Sequence, residues 1–564
     1  MRVFFFLIFA GLAAVGGFGY GVVTGGSEGS TVKEYADRIS RKLDEIRGVP
    51  TPEERAIARI ESTFIRFSGS LYDLPDSHFT AGGGLTVWDD TLMLVDREGT
   101  VFRFEDGRGL IKTAIATPEH GDEAYTALAA TPPYNQQTHK TRQLRYNDIM
   151  FVDTAEFRGL LVSYNFFDAD RVCYGNRVAK LPVAEGALSP ADLTANEADW
   201  DIFFESTPCL TFRESGTALE GIQSGGRMAM HPDGRIVFGS GDFALDGLTA
   251  PDIGLMDPDV VYGKVLAIDI ATGDAEVLAS GHRNIQGVAV DSDGDIWTVE
   301  HGVRGGDELN HIQKGENHGW PLESMGTLYS GQPFPTDSVI GRHDEFDQPA
   351  FAWLPSAATS SLAAIDNFHP AWDGGLLVGS LSGAREGQSL WHIRTEGDRV
   401  VFAERIRLER RVRYVQQYGD RLAIWLDPTS LLILEQEARQ DPLGFALAQL
   451  NQTHPNVAGD VIETLEGCNQ CHSFEQHVHL AGPSLNGVVG RQIAGTGYPG
   501  YSDALQAASG RWTKETLKAY LIDPSGFAPG TSMPAMGLND DEHLEALISA
   551  LEGMNTGDDE HLQY

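Results

Sequence analysis

A chain of 564 residues is too long for one hydrophobic core, so at least two domains are expected. Its 80 acidic and 42 basic side chains give a formal net charge of -38, which repels nucleic acid and anionic lipid headgroups and excludes a role in binding DNA or RNA. The 64 glycines, in a chain with few long periodic helices, require many tight turns and point to a mainly β body.

Met1-Arg2 is followed by Val3 to Val23, an uncharged run of 21 residues that is long enough to cross a bilayer as a helix. No sharp small-residue cleavage site follows it, which favours an uncleaved anchor over a cleaved signal peptide. Either way residues 1–24 read as an export segment. It puts the rest of the chain on the periplasmic side of the inner membrane, or free in the periplasm or secreted if the segment is removed. Thr31-Val32-Lys33-Glu34 and Thr51-Pro52-Glu53-Glu54 have the pattern of capping boxes, in which a threonine oxygen takes an orphan amide and a glutamate reaches back. They predict a short stalk and a helical lead-in over 25–75.

From 76 to 440 the pattern is one of short β-rich runs broken by turn dipeptides. Leu85-Thr86-Val87-Trp88 precedes Asp89-Asp90, Met228-Ala229-Met230 precedes Pro232-Asp233-Gly234, and Val288-Ala289-Val290 precedes Asp293-Gly294. Hairpins recurring over this length fit a β-propeller, whose radial sheets hide their edges, better than a single sandwich. Their irregular spacing leaves the number of blades open. Of four cysteines, Cys173 and Cys209 fall in this body. In an oxidising compartment such a pair closes a disulfide, with two buried thiols as the alternative.

A polar stretch, 441–456, reads as a linker. Beyond it stands Cys468-Asn469-Gln470-Cys471-His472. Two thiols at this spacing add to the vinyl groups of one haem, and the histidine that follows is held where its imidazole ligates the iron. A zinc site would need a second ligand pair, and none lies nearby at ligand spacing. The wider segment 457–555 also carries Gly482-Pro483-Ser484-Leu485-Asn486-Gly487, Gly490-Arg491, Tyr501-Ser502-Asp503-Ala504-Leu505, Trp512 and Gly530-Thr531-Ser532-Met533-Pro534. In this order these motifs resemble class I cytochrome c, a small all-α domain. The resemblance implies a covalent haem c with His472 and Met533 as axial ligands, Pro483 behind the histidine, and Arg491 and Trp512 near the propionates. A thioether ligand raises the potential, as an electron acceptor requires; Met536, three residues on, is the rival to Met533. Residues 556–564 form an acidic tail. From Val457 to Tyr564 there are 15 Asp and Glu against 4 Lys and Arg, which suits a basic electron-acceptor protein, with a membrane oxidase as the other candidate partner.

One segment of the β body is unusually dense in polar side chains. It comprises Gly281-His282-Arg283-Asn284-Ile285-Gln286-Gly287, Trp297-Thr298-Val299-Glu300-His301-Gly302-Val303-Arg304-Gly305-Gly306-Asp307-Glu308-Leu309-Asn310 and Asn317-His318-Gly319-Trp320-Pro321. Carboxylates such as Asp307 and Glu308 are hard ligands suited to calcium, and Arg283, Arg411 and Arg413 can grip carboxylates with paired hydrogen bonds. These motifs resemble the soluble aldose (glucose/sorbosone) dehydrogenases, six-bladed propellers that use pyrroloquinoline quinone and calcium. The resemblance implies that Arg283, Asn284 and Gln286 line the quinone and that Arg411 and Arg413 clamp its carboxylates. It also implies that Gly302 and Val303 offer carbonyls to calcium, with Asp307, Glu308 and Asn310 beside them or at a second calcium.

The departures from that family are specific. Gln223 of Gln223-Ser224-Gly225-Gly226-Arg227 stands where the family has its catalytic histidine, and an amide cannot accept a proton at neutral pH. Ser382, with Arg385 after it, replaces a family lysine, Ile285 and Val303 replace prolines, and the early Gly-Gln-x-Gly contact is not recognisable. His231, His282 and His301 are the candidate substitute bases. Two functions follow. One is an exported quinoprotein–cytochrome c dehydrogenase that oxidises a sugar or another alcohol and passes electrons to its haem. The other is a catalytically degenerate propeller that acts as a binding scaffold for an electron-transfer cytochrome. The expected fold is a mainly β six-bladed propeller followed by a small all-α cytochrome c domain, with a membrane or export helix ahead of both.

Overall fold

The computed structural model describes residues 55–74, 82–132, 144–183, 189–211, 222–247, 253–334, 343, 345–382, 387–427, 430–437, 442–474, 478–538 and 540–554. The chain divides into two compact units, 1–437 and 438–564.

The first unit is a six-bladed β-propeller. Each blade is an antiparallel sheet whose innermost strand lies beside the innermost strand of the next. These strands are Gly84–Trp88, Tyr146–Asp153, Gly225–Met230, Ile285–Val290, Thr359–Ile365 and Arg411–Tyr418, and the sixth lies back against the first. Blades stacked face to face bury both sides of their middle strands, so Ile236–Ser240 and Gly375–Ser380 are buried throughout. Apolar layers between neighbours hold the ring together. Val152, Leu161 and Val178 of the second blade pack with Met228, Phe238 and Leu266 of the third, and Ile365, Leu377 and Leu390 of the fifth pack with Val412, Ile424 and Leu432 of the sixth.

The ring is closed by strands from the amino-terminal side of the chain. Arg66–Asp73 pairs with Ser430–Gln436 of the sixth blade, and Arg55–Glu61 pairs outside it. This corrects the helical lead-in over 25–75, because 55–61 and 66–73 are propeller strands. Phe67, Leu71 and Tyr72 are buried under the sixth blade and its neighbours, and that tertiary pairing overrides the local helix signal. The capping boxes at Thr31 and Thr51 and the export segment 1–24 lie outside the described residues. Among the described residues no helix is long and apolar enough to cross a membrane. Cys173 and Cys209 are joined by a disulfide in the second blade, where Cys173 pairs with Thr211 and Tyr174 with Leu210.

The second unit is all-α. Helices Pro442–Thr453, Ala458–Asn469, Lys514–Ile522 and Asp541–Gly553, with short turns Asp503–Ala507 and Pro524–Phe527, surround a core that includes Val461, Leu465, Phe474, Trp512, Leu544 and Leu547. The expected linker 441–456 is instead mostly the first of these helices. Ala446 and Leu450, one helical turn apart on one face, are buried in the core of the unit, a stripe hidden by the polar residues around it. Residues 555–564, with the acidic tail, lie outside the described residues.

Candidate functional site

The amino-terminal ends of the six inner strands meet at one mouth of the propeller, where side chains of one blade bond the backbone of others. Arg227 of the third blade donates from Nη1 to the carbonyls of Gly83 and Asn147, 2.7 Å each, and from Nε to Gln286 O at 3.0 Å. Asp148 of the second blade accepts from Met228 N and from the Tyr414 hydroxyl of the sixth, 2.9 Å each, and lies 3.8 Å from Arg227 Nη1. Ser360 Oγ of the fifth donates to Val412 O at 2.5 Å. Burial pushes the Asp148 carboxyl up to about 6 despite Arg227 beside it.

Gln223 opens the third blade. In the orientation that satisfies both neighbours, its amide nitrogen donates to Asp242 Oδ1 at 2.9 Å and its oxygen accepts from Arg283 Nη2 at 2.8 Å. Asp242, fully buried, also accepts from Ala244 N at 2.7 Å and Trp320 Nε1 at 2.8 Å. Desolvation raises its carboxyl to about 7, and the charge of Arg283 only partly offsets this. Arg283 lies with its guanidinium over the Trp320 ring at 5.3 Å and donates from Nη1 to His301 O at 3.1 Å and Gly302 O at 2.6 Å. Gln286 Nε2 donates to Asn284 Oδ1 at 2.9 Å, so these two expected quinone contacts brace one another. Arg413 pairs with Asp427 at 2.5 Å, while Arg411, more exposed, reaches the same carboxylate at 3.5 Å.

The three candidate bases differ in place. His231 follows the far end of the third blade's inner strand, in a surface turn 2.8 Å from Asp233, and so stands away from the mouth. His282 is fully buried, with Nδ1 2.7 Å from Glu300 and its ring against His318 at 4.6 Å. His301 remains at the mouth beside Asn284, whose Nδ2 lies 3.4 Å from Nδ1. Burial holds its imidazole below the usual histidine range, hence neutral.

Two of the expected calcium donors already have partners within the protein. Gly302 O is taken by Arg283, and Asp307 accepts from Gly302 N at 3.0 Å, Ser356 Oγ at 2.7 Å and Ala358 N at 2.5 Å. Val303 forms an isolated bridge with Gly305 and packs against the apolar cluster that includes Trp320. Glu308 is held well above the ordinary carboxylate range by burial and by Glu300, with which it shares Asn310 Nδ2. Among the described residues no three acidic, histidine or cysteine side chains are grouped to hold a metal ion; the expected donors Gly302 and Val303 are backbone carbonyls, which such a grouping does not concern. Ser382 is described and Arg385 is not.

Sequence reasoning missed Arg145, Asp148, Asp242 and Tyr414. Each acquires its role from a blade distant in sequence. The available signal was position: Arg145 directly precedes its inner strand, as Ser224 and Asn284 precede theirs.

In the second unit the helix Ala458–Asn469 ends at the two thiols, and His472 N donates to Cys468 O at 2.9 Å. Neither cysteine is in a disulfide; Cys471 is exposed and Cys468 partly buried. His472 donates from Nδ1 to Pro483 O at 2.7 Å, which leaves Nε2 available to a metal. Met533 packs on the helical core. Arg491 donates to Asn486 O and Ser484 O, while its buried Nε has no partner, and Trp512 is hydrogen-bonded to it through the backbone. An unpartnered guanidinium nitrogen, two thiols and a histidine oriented from behind fit a haem and its propionates.

These features define a class, a six-bladed propeller with an arginine-rich mouth joined to a cytochrome c domain. Residues 206–430 match the glucose/sorbosone dehydrogenase family. The aldose sugar dehydrogenase YliI of Escherichia coli is 32% identical over 369 residues, covering 62% of this chain and 84% of that one. An uncharacterized protein of Synechocystis is 40% identical over 148 residues, 26% of this chain and 34% of its own length. Cytochrome c of Ginkgo biloba is 35% identical over 86 residues, 15% of this chain and 76% of that one. The fold is also that of the solved apo form of the soluble aldose sugar dehydrogenase from Escherichia coli, with a TM-score of 0.50 at 22% identity over 65% of this chain and 100% of that one. The chain belongs to the glucose/sorbosone dehydrogenase family, with a cytochrome c domain fused behind the propeller.

Proposed function

We propose that this protein is an exported quinoprotein–cytochrome c dehydrogenase that oxidises a hydroxyl group of a sugar or related alcohol at the propeller mouth and passes the electrons to its own haem c. The observation that carries this reading is the gathering of guanidinium groups at the mouth of a propeller of this family, in one chain with a haem-attachment motif. Arg283, Arg411 and Arg413, with Asn284 and Gln286, supply the donors that a polycarboxylate quinone such as pyrroloquinoline quinone needs. When bound, that group supplies an electron-poor carbonyl able to take two electrons from a hydroxyl-bearing carbon.

The chain's own residues then divide the remaining work. Gln223, bridged to Asp242 and Arg283, orients the substrate but takes no proton. His301, neutral and at the mouth, is the histidine suited to receive the hydroxyl proton: Nε2 has no hydrogen-bond partner and accepts once the ring hydrogen sits on Nδ1, at the expense of the 3.4 Å contact from Asn284 Nδ2. Calcium, if held by the carbonyls of Gly302 and Val303, would act as a Lewis acid beside that group. In the second unit Cys468 and Cys471 would hold the haem covalently and His472 and Met533 would ligate its iron, so that domain would carry electrons one at a time and bind no substrate. Fusion makes the transfer intramolecular and raises the effective concentration of the acceptor. Residues 3–23 hold the protein on the periplasmic face of the inner membrane, or release it to the periplasm if cleaved.

The test is to add pyrroloquinoline quinone and calcium to the purified haem-loaded protein, titrate aldoses and simple alcohols, and follow the absorption band of reduced haem. Reduction by one of these classes is expected. A haem that dithionite reduces but no aldose or alcohol does would overturn the reading. Gln223 favours the second reading, a propeller that binds without catalysing; activity that appears only in Gln223→His would establish it.

A further inference from the structure

Arg145 is a buried cation at the mouth that the protein leaves uncompensated. It precedes the inner strand of the second blade and is 9% exposed. Nε donates to Asn147 Oδ1 at 3.0 Å and Nη2 to Ser224 Oγ at 3.2 Å, both neutral partners. Among the described residues Nη1 has no hydrogen-bond acceptor and no carboxylate pairs with the guanidinium. Its neighbours deal with their charges differently: Arg227 faces Asp148, and Arg413 is paired with Asp427.

The charges that act on Arg145 make its position worse. Burial comes first, and then Arg97, Arg413 and Arg227 all work against its proton, pushing its pKa down to about 9. At neutral pH it is still charged. A buried guanidinium among other guanidiniums is unfavourable unless an anion enters, since both the desolvation and the like-charge repulsion are then relieved. Asn147 Nδ2, on the residue that braces it, also lacks an acceptor, and elsewhere at the mouth Arg283 Nε is buried without a hydrogen bond. A neutral sugar offers hydroxyls but no charge to offset the guanidinium. A carboxylate offers both charge and two coplanar acceptors, the geometry a guanidinium fits. The mouth is thus locally cationic in a chain whose net charge is -38, an arrangement that draws an anionic ligand inward while the rest of the surface repels it.

We propose that Arg145, braced by Asn147 and Ser224, is a carboxylate-binding subsite of the mouth, so that the ligand held there bears a carboxylate at this point. The inference rests on the reading of the mouth as a ligand site. Two sources share the chemistry, the quinone and an acidic sugar substrate of the uronate or aldonate class.

Titration calorimetry on the full haem-loaded chain separates them, with pyrroloquinoline quinone, glucuronate and glucose as probes for the wild type, Arg145→Gln and Arg145→Lys. Loss of about tenfold or more in quinone affinity in Arg145→Gln, partly restored in Arg145→Lys, assigns the carboxylate to the quinone. The same pattern for glucuronate, with glucose indifferent to the substitution, assigns it to the substrate. Unfolding temperature and the haem spectrum report whether the variants fold, and replacing an uncompensated charge is expected to leave the unfolding temperature unchanged or raised. Equal affinities in wild type and variants, absence of binding of both anions by the wild type, or a lowered unfolding temperature in both variants would overturn the proposal. Glucuronate binding through Arg145 without haem reduction would sink the dehydrogenase reading and leave the subsite standing.

Discussion

His472 donates from Nδ1 to the carbonyl of Pro483 at 2.7 Å, and Gly482 lies so close that a Cβ there would stand 2.4 Å from His472 Cε1. The ring is therefore fixed from behind and from the side, and only Nε2 is free to ligate. The proposed opposite ligand, Met533, sits against the helical core, with its amide donating to Thr531 Oγ1 at 3.4 Å, itself within 2.9 Å of the Tyr520 hydroxyl. Met533→Ala is expected to abolish the sulfur-to-iron charge-transfer band and to lower the reduction potential, and Met536→Ala to leave both nearly intact. Optical spectroscopy and potentiometry check this, and the reverse pattern would reassign the ligand.

Asp242 makes stability depend on pH in a defined direction. Its carboxyl titrates near 7 when folded and near its ordinary value when unfolded, so the folded state binds the proton more tightly. The stabilisation is complete at pH values below the unfolded pKa and is lost as pH rises through about 7. Asp148, pushed up to about 6, contributes with the same sign. Asp242→Asn keeps an acceptor for Trp320 Nε1 and removes the titration. Urea unfolding at pH 5, 6 and 7 is expected to show the wild type losing stability with pH and the variant losing about 1 kcal/mol less per pH unit. Parallel slopes would show that Asp242 titrates normally.

What could be read from the sequence followed the range of the interaction. The haem attachment is complete within five residues, Cys468 to His472, so its chemistry needed no fold. The hairpins announced themselves through turn dipeptides such as Asp293-Gly294, because a tight turn is local. The strand Arg66–Asp73 did not, because its partner Ser430–Gln436 lies more than 350 residues away. Gln223 was visible as a departure, but its bonds to Asp242 and Arg283 join three stretches of chain, and the bare charge of Arg145 is defined by blades one, two, three and six together. Ala446 and Leu450 show the converse, a real helix masked by a polar surface.

The Cys173–Cys209 bond closes a loop over a sequence separation of 36, at a place where the strand Leu210–Thr211 is attached to the blade by only two residue pairs. The loop-closure entropy it removes from the unfolded chain amounts to about 3 to 4 kcal/mol. Replacing both cysteines with serine is expected to lower the stability of the propeller by about that amount, read by denaturant unfolding monitored through tryptophan fluorescence, with the haem absorption of the second unit unaffected. A loss below about 1 kcal/mol would mean that the pairing of Tyr174 with Leu210 holds this segment without the bond.

The charge of the second unit bears on its partner. From Val457 to Tyr564 the 15 acidic side chains exceed the 4 basic ones, and Lys514 and Lys518 are already engaged with Glu552 and Asp541. The field around this unit is thus strongly negative, and it steers basic proteins by long-range attraction that salt screens within about 10 Å at 0.1 M. The acidity could also be no more than the bias of the whole chain, at -38, serving solubility. The two roles differ in rate behaviour. If the acidity docks a partner, reoxidation of the haem by a basic cytochrome is expected to be faster at low salt than reoxidation by an acidic one, and the advantage is expected to shrink steadily as salt rises. Stopped-flow absorbance between 10 mM and 500 mM salt measures it, the low end leaving the field nearly unscreened and the high end suppressing it. Rates equal for the two acceptors, or indifferent to salt, would leave solubility as the whole account.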